Sequence, residues 1–157
     1  MTSMPGTVIR MRRSLDGPLS APAWPEDVRL ASFTPLDARE AHALFTAGYA
    51  NGGGGVGGFD DWWTDLSTDG EYDPTLFFLL RDSEDRLVGA AQCWTSAFVK
   101  DLVVHPLWHR RGIGLGLLFH VFASFRERGA TAVELKVLRD NPGALSLYGR
   151  AGMIVGD

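Results

Sequence analysis

The residues best suited to chemistry lie together in one basic, glycine-rich stretch, residues 103–118, which reads VVHPLWHRRGIGLGLL. Its glycines let a ligand approach the backbone, and its consecutive N–H groups can form a concavity that binds an anion. A helix is predicted to begin within the stretch, and the positive end of a helix dipole favours negative charge. The stretch therefore predicts a site for a ligand that carries phosphate.

Two familiar phosphate-binding loops do not fit these residues. A P-loop ends in Gly-Lys followed by Ser or Thr, whereas Gly116 is followed by two leucines. A dinucleotide-binding loop that starts at Gly112 and Gly114 needs its third glycine where Leu117 stands. A second glycine-rich run, residues 51–58, formally matches the dinucleotide-binding pattern. No strand is predicted before this run, however, and acidic residues follow it. We interpret that run as a flexible surface loop that could serve as a substrate lid.

Apolar periodicity and turn residues predict the elements that position the stretch. Strands are predicted at residues 7–11, 28–33, 75–80, 87–94, 97–104, 132–138 and from 153 onward. Helices are predicted at residues 38–49, 59–66, 113–128 and 142–150, the first capped by Asp37 and the last by Asn141. The unit spanning 98–138 is expected to be a right-handed parallel crossover. The order of elements predicts an α+β or mixed α/β fold.

Composition limits the class of protein. The chain has 157 residues, which fits one domain, and its net charge of −4 argues against a nucleic-acid-binding protein. No apolar run reaches the roughly 20 residues of a membrane span, and the N-terminus lacks an apolar signal core. The single cysteine, Cys93, cannot form an internal disulfide. We therefore expect a cytoplasmic protein with no membrane partner.

The glycine-rich stretch resembles the donor-binding motif of the GNAT superfamily of N-acetyltransferases. Members of that family carry a strand, then Gln/Arg-x-x-Gly-x-Gly/Ala, then a helix. Here the pattern falls on residues 109–114, and His109 stands in place of Gln or Arg. A second register that begins at Arg111 fits formally, but the His-Pro pair before the loop and the leucines after it favour the first.

A second block is similar to the last helix–strand unit of the same family. It reads Asn141-x-x-Ala144-x-x-Leu147-Tyr148-x-x-x-Gly152-Met153. Two blocks at the right separation are much more specific than either alone. The resemblance covers about residues 26–155, so that residues 26–157 form the GNAT domain and residues 1–25 an N-terminal extension.

The resemblance implies a fold and a donor. The fold is a GNAT-like central mixed sheet with antiparallel N-terminal strands, a splayed parallel pair formed by 98–104 and 132–138, and about four helices. The donor is acetyl-CoA, with no metal: its pyrophosphate is expected on the amides of 110–115 and its pantetheine arm on the backbone of 102–104. The residues implied in donor binding are Leu102, Val103, Val104, His109, Arg110, Arg111, Gly112, Ile113, Gly114, Leu115, Asn141 and Ala144.

The resemblance also implies transfer of the acetyl group to a primary amine by direct attack in a ternary complex. A backbone N–H near Leu102 or Val103 could stabilise the charge that develops on the carbonyl oxygen. Tyr148 matches the family's tyrosine that protonates the departing thiolate, and it lies two helical turns after Asn141 on the same face. Tyr148 is therefore the predicted catalytic residue.

Two acidic residues and two lysines lie on the splayed strands. The general base stays open between Asp101, Glu134 and a water molecule. Alternation along a strand predicts Asp101 on the face opposite Lys100, and Glu134 on the same face as Lys136. If both lysines line the cleft, the acceptor pocket is electropositive and favours an acceptor with a carboxylate or phosphate. Alternatively, each lysine pairs with a neighbouring acidic residue.

Other functions and assemblies stay open at this point. The acceptor can be a small-molecule or peptide amine. A non-catalytic acyl-CoA-binding or regulatory module on the same fold is the alternative, whereas a nucleic-acid-binding module that uses Arg110 and Arg111 is disfavoured by the acidic net charge. Family members usually have two strands after the last helix. Residues 1–25 are either a mobile tail or supply one added strand, near 8–11, to their own sheet or to a partner's, which leaves a homodimer open.

Overall fold

The computed structural model describes residues 6–50 and 55–156. The strands in this part of the chain are β1 (Val8–Ser14), β2 (Val28–Ser32), β3 (Phe77–Asp82), β4 (Leu87–Trp94), β5 (Phe98–Val104), β6 (Ala132–Leu138) and β7 (Ile154–Val155). The helices are α1 (Ala38–Gly48), α2 (Phe59–Ser67), α3 (Ile113–Glu127) and α4 (Pro142–Arg150). The strands form one mixed sheet in the order β2-β3-β4-β5-β6-β1-β7. The predicted fold class is confirmed.

Helices pack on both faces of the central part of this sheet. Strand β3 is buried along its whole length because Phe78 and Leu80 pack towards α3, while Phe77 and Leu79 pack towards α1 and α2. This arrangement explains why β3 reads as an unbroken apolar run rather than an alternating one. Burial of each such side chain stabilises the fold by about 1.5–3 kcal/mol.

Strands β5 and β6 form a fork. They are the only parallel neighbours in the described sheet, and they pair at just two levels, Phe98 with Glu134 and Val99 with Leu135. Beyond Val99 the two strands no longer pair, so the backbone groups of β5 that would face β6 are left without a ladder partner. The predicted splayed pair is confirmed.

A β-bulge lies in β5 at the base of this fork. Gln92 pairs with Asp101 and the next residue, Cys93, pairs with Val99, so Lys100 is an extra residue on β5. A bulge interrupts alternation and turns two successive side chains towards one face. The prediction that Asp101 and Lys100 point to opposite faces is therefore wrong, and the Nζ of Lys100 lies 3.2 Å from the Oδ2 of Asp101.

Strand β1 lies between β6 and β7. It pairs antiparallel with β6 over seven residues, from Val8 opposite Leu138 to Ser14 opposite Ala132, and β7 pairs with its other edge. The strand is thus longer than the predicted segment and belongs to its own sheet. Residues 8–14 are an integral part of the fold, with Met11 buried in the core beneath α3, and they are not a mobile tail.

The chain after β1 crosses the outside of α3. A Cβ atom at Gly116 would overlap the carbonyl oxygen of Ala23, so glycine allows this crossing to lie directly on the helix. Trp24 packs edge-on against His120, and the guanidinium of Arg126 donates to the carbonyl of Gly17 at 2.9 Å. The segment between β1 and β2 is therefore packed against α3 at both ends.

The start of α1 differs from the prediction. The side chain of Asp37 makes no capping hydrogen bond to α1. Instead Thr34 and Asp37 form a capping box around the short 3₁₀ turn that precedes the helix, with the Thr34 N–H donating to Asp37 Oδ2 at 2.8 Å. The other oxygen of Asp37 accepts from Arg81 of β3 at 3.0 Å, which fixes the helix to the sheet.

The glycine-rich run 51–58 falls partly outside the described residues, since 51–54 are not described. Its predicted role as a lid stays a prediction. Residues 55–58 have no regular structure and lead into α2. In the described ranges no helix is both long and apolar enough to cross a bilayer, and no group of His, Cys, Asp and Glu is suited to hold a metal ion.

Candidate active site

The loop before α3 has the backbone shape of an anion site. A short 3₁₀ turn, Pro106–Trp108, follows β5, and the chain then reaches α3 through Arg110 and Gly112, which have φ values of +65° and +79°. Residues with positive φ turn successive N–H groups towards one side. A Cβ built on Gly112 would meet nothing within 4 Å, and no acidic side chain lies in the first turn of α3.

A hydrogen bond of the His109 ring accounts for the histidine that stands where the family pattern has Gln or Arg. Its Nε2 lies 3.0 Å from the carbonyl oxygen of Val104, to which the ring N–H donates. The side chain thereby ties the loop back to the end of β5. The Val104 carbonyl was expected to face the donor arm, and its second lone pair is still able to accept.

Two adjoining cavities open beside this loop. One, of about 580 Å³, lies between the loop and α4. The other, of about 420 Å³, lies in the fork and reaches the C-terminal end of α1. The residues that line both are Leu102, Val104, His109, Asn141, Ala144 and Tyr148. The cavities therefore form one continuous path from the loop, past Tyr148, to the fork.

Most of the predicted donor-binding residues line this path. The loop cavity also includes Arg110, Gly112, Ile113, Gly114 and Leu115, whereas Val103 lines the fork cavity. Arg111 is the exception, because its guanidinium lies over the ring of Trp108, 4.7 Å from the centroid. Arg150 at the end of α4 lines the loop cavity instead. Sequence reasoning did not single out Arg150, since only the packing of α4 beside the loop brings it there.

Asn141 has two possible uses at the start of α4. Its Oδ1 accepts from the N–H of Ala144 at 3.2 Å, so the predicted helix cap is confirmed. The side-chain NH₂ group is the part that can still bond a ligand. Gly114 lets α3 approach α4 here, because a Cβ would lie 3.0 Å from Leu147.

Tyr148 lies where the two cavities meet. Burial, followed by the negative charge of Asp101, raises the pKa of Tyr148 to about 12. The phenol therefore keeps its proton throughout the neutral and mildly alkaline range. A protonated phenol beside the path between two cavities is suited to donate a proton.

Asp101 and Tyr49 form a buried pair beside the fork cavity, and Asp101 itself is not among the residues that line it. Asp101 is 6% exposed, and its Oδ1 accepts from the Tyr49 phenol at 2.7 Å. Burial and then the Asp101 charge raise the pKa of Tyr49 well above its ordinary value. Tyr49 caps the end of α1 and lines the cavity. Sequence reasoning missed it because no local motif marks a tyrosine whose partner is 52 positions away.

The other polar residues of the fork have different surroundings. Glu134 pairs with Arg10 at 3.2 Å on the open face of the sheet and lines neither cavity. Lys100 pairs with Asp101 and lines the fork cavity, so the alternative that it bonds a neighbouring acid holds. Lys136 also lines the fork cavity, and it makes no ion pair with any described residue.

Gln92 is a buried polar residue directly across from Asp101. It is 1% exposed, and its Nε2 donates to the carbonyl of Cys93 at 3.1 Å. Its Oε1 is the one buried side-chain oxygen or nitrogen, within the described ranges, that has no hydrogen-bond partner. No sequence pattern marks this position, since the pairing of Gln92 with Asp101 depends on the register of β4 and β5.

A mixed sheet that forks beside an anion-binding helix start defines the GNAT type of fold. The model of the acetyltransferase (GNAT) family matches residues 36–153. The chain belongs to this family, and the predicted class of N-acetyltransferase is confirmed at that level.

The relatives of the chain are acetyltransferases of several kinds. Mycothiol acetyltransferase from Clavibacter sepedonicus is 35% identical over 136 residues, which are 81% of this chain and 43% of the relative. A crystal structure of a GCN5-related N-acetyltransferase from Sphaerobacter thermophilus has a TM-score of 0.82 and 30% identity, over 95% of this chain and 48% of that chain. The chain thus spans less than half the length of both relatives.

More distant structures share the fold alone. The ribosomal-protein-S18-alanine N-acetyltransferase from Escherichia coli has a TM-score of 0.65 at 20% identity, over 80% of this chain and 76% of that chain. A tandem GNAT protein from the clavulanic acid biosynthesis pathway has a TM-score of 0.68 at 16% identity, over 98% of this chain and 51% of that chain.

Proposed function

We propose that the domain transfers an acetyl group from acetyl-CoA to a primary amine, by direct attack in a ternary complex. The observation that carries the proposal is the path from the glycine loop to the fork, with Tyr148 at its middle and, at the fork end, Tyr49 and Lys100, both of which bond the buried Asp101. The name of the mycothiol acetyltransferase supports acetyl transfer as the reaction.

The loop and β5 fit the donor. The amides of residues 110–115 and the first turn of α3 suit a pyrophosphate, and Arg110 and Arg150 add positive charge at the same cavity. Beyond Val99, the ladder groups of β5 are left unpaired by the fork and can bond an extended arm as an added strand would. Acetyl-CoA supplies the activated thioester when it is bound there.

Asp101 and Tyr148 divide the proton transfers between them. Asp101 accepts the proton that the amine must lose as its nitrogen attacks the acetyl carbon, and Tyr49 holds the carboxylate in place by its hydrogen bond. Tyr148 gives its proton to the sulfur as the carbon–sulfur bond breaks. A backbone N–H of β5 near Leu102 stabilises the negative charge that develops on the carbonyl oxygen. Glu134 is less suited as the base, because its partner Arg10 lines neither cavity, whereas both partners of Asp101, Tyr49 and Lys100, line the fork cavity.

The test separates an enzyme from a non-catalytic acyl-CoA-binding module. The protein is offered acetyl-CoA and a library of small-molecule and peptide amines, and release of free thiol is measured for the native protein and for Tyr148→Phe. Calorimetric titration with acetyl-CoA is the control for donor binding. We expect turnover in the native protein, with undiminished donor binding in the variant. Donor binding without turnover on any amine would instead support the binding module.

A further inference from the structure

The open face of the sheet beside the fork carries a row of cations. Arg10 lies directly opposite Lys136 on β6, and Arg12 lies opposite Glu134. The two neighbours of Arg12 on β1 turn the other way, as Met11 is buried beneath α3 and Arg13 lies over the ring of Phe122. Arg10, Arg12 and Lys136 therefore share one face, and all three are exposed.

Lys100 on β5 extends this row across the fork. Phe98 pairs with Glu134, and Lys100 and Lys136 each follow two residues later, so alternation places these two lysines on the same face, on either side of the fork. Lys136 thus lies between two other cations, Lys100 on one neighbouring strand and Arg10 on the other. Like charges at one level of a sheet destabilise it unless a counter-charge is near.

The carboxylates on this face are too few to neutralise the row of cations. Lys100 pairs with Asp101 and Arg10 pairs with Glu134, each at 3.2 Å. Arg12 and Lys136 have no carboxylate within ion-pair distance among the described residues, which leaves four cations against two anions. The whole chain, by contrast, has a net charge of −4. The positive charge is therefore concentrated beside the candidate acceptor cavity.

We propose that the acceptor is a small amine that also carries an anionic group, a carboxylate or a phosphate, and that Lys136 and Arg12 bind this group. The inference rests on the proposed function and names its class of acceptor. Lys136 lies across the fork from β5, which carries Asp101, and Arg12 lies one strand further away, about 4.8 Å beyond β6. The acceptor therefore has its amine and its anionic group several bonds apart. A lysine or arginine side chain binds either anion well.

The test compares matched acceptors that differ only in the anion. The pairs are γ-aminobutyrate with its amide, and O-phosphoethanolamine with ethanolamine, measured as kcat/KM with acetyl-CoA. We expect the native protein to prefer the anionic member of at least one pair, and the preference to fall as salt is raised. The pair with the larger preference tells a carboxylate acceptor from a phosphate acceptor.

Variants of the cationic row locate the site. Lys136→Met is expected to raise KM for the anionic acceptor about tenfold, as loss of a charged hydrogen bond does, and so to reduce the preference for the anionic member of the pair. Lys136→Arg should keep the preference, and Arg12→Met should reduce it. Arg29→Met is the control, because it removes a cation from β2 at the opposite edge of the sheet, where Arg29 pairs with Asp85.

Two results would overturn this inference. One is a native protein that acetylates the amide of γ-aminobutyrate and ethanolamine as well as it acetylates their anionic counterparts. The other is a preference that Lys136→Met leaves unchanged. If no amine is acetylated, the proposed function fails separately. The inference is then tested by calorimetric titration of γ-aminobutyrate and O-phosphoethanolamine into the native and Lys136→Met proteins. Binding that is weaker in the variant supports the inference, and absence of binding to the native protein overturns it.

Discussion

The phenol of Tyr49 donates a 2.7 Å hydrogen bond to the Oδ1 of Asp101 and so joins the end of α1 to the bulge in β5. The bulge turns Lys100 to the same carboxylate, which is thus held from two sides. A buried carboxylate held in one orientation beside a cavity is what a general base needs. Because α1 ends at this bond, the position of the helix and the orientation of the carboxylate are linked.

Tyr49→Phe should lower kcat about tenfold, because the carboxylate loses a hydrogen bond to a charged acceptor. Asp101→Asn should lower it by about 10²–10⁴, the usual contribution of a general base. The discriminating measurement is the double variant. If Tyr49 acts through Asp101, Tyr49→Phe costs little more in the Asp101→Asn background, whereas two independent effects would add.

Tyr148→Phe should lower kcat by about 10²–10⁴ and leave the affinity for acetyl-CoA unchanged, since the lost group is a proton donor. The pKa of Tyr148, raised to about 12, keeps the donor protonated as pH rises. The kcat profile of the native protein should therefore stay level on the alkaline side up to about pH 10, an ordinary tyrosine pKa. A fall near pH 10 that disappears in the variant would contradict the raised pKa.

Gly112→Ala should lower the free energy of unfolding by about 1–2 kcal/mol, because a side chain is strained at a φ of +79° even though the Cβ meets nothing. It should also weaken acetyl-CoA binding by disturbing the loop amides. Gly149→Ala, in α4 and equally free of contacts, is the matched control and should be neutral or stabilising. Thermal unfolding and titration of both variants measure the two effects. Equal stability of the two would refute the role of the left-handed backbone.

Met11→Ala should cost about 2–5 kcal/mol of unfolding free energy, because the side chain is buried in the core beneath α3. Val8→Ala on the same strand, where the side chain is 54% exposed, should cost little. Denaturant unfolding of the pair tests whether β1 is as integral to the domain as its place in the sheet indicates. A negligible loss in Met11→Ala would show that the domain is stable without its contacts.

The stability of the protein should depend on His120 below neutral pH. Burial lowers the pKa of His120 beside Phe78. The unfolded chain therefore binds a proton near pH 6.5 that the folded chain does not, and stability is lost as pH falls from about 6.5 towards the lower folded pKa. His120→Gln removes this contribution, so its melting temperature should fall less steeply between pH 7 and pH 5. Parallel slopes would contradict the lowered pKa.

Local signals predicted most of the elements well. Strands β4 and β6 begin and end at the predicted residues, 87–94 and 132–138, because apolar patterning and turn residues act within a few positions. The caps of α4 were equally readable, since Asn141 and Pro142 act on the turn that they begin. The loop that leads into α3 was found for the same reason.

The contacts that shape the acceptor end of the candidate site could not be predicted from local sequence signals. The bulge at Lys100 is a property of the register between β4 and β5, and one residue of register reverses the face of a side chain. The approach of Tyr49 to Asp101 depends on how α1 packs across the sheet. The pairing of Arg10 with Glu134 spans 124 positions, and nothing near Arg10 in the sequence indicates its partner.

The place of β1 between β6 and β7 sets the order in which the domain can be completed. During synthesis β1 emerges first, but both of its hydrogen-bonded neighbours emerge after α3. The backbone N–H and C=O groups of β1 therefore have no strand partner while most of the chain is synthesised. Closing the long loop between β1 and β6 is slow. The second strand of the fork, β6, and Tyr148 on α4 both lie in the last part of the described chain, so the candidate active site is complete only once nearly all of the domain has been made.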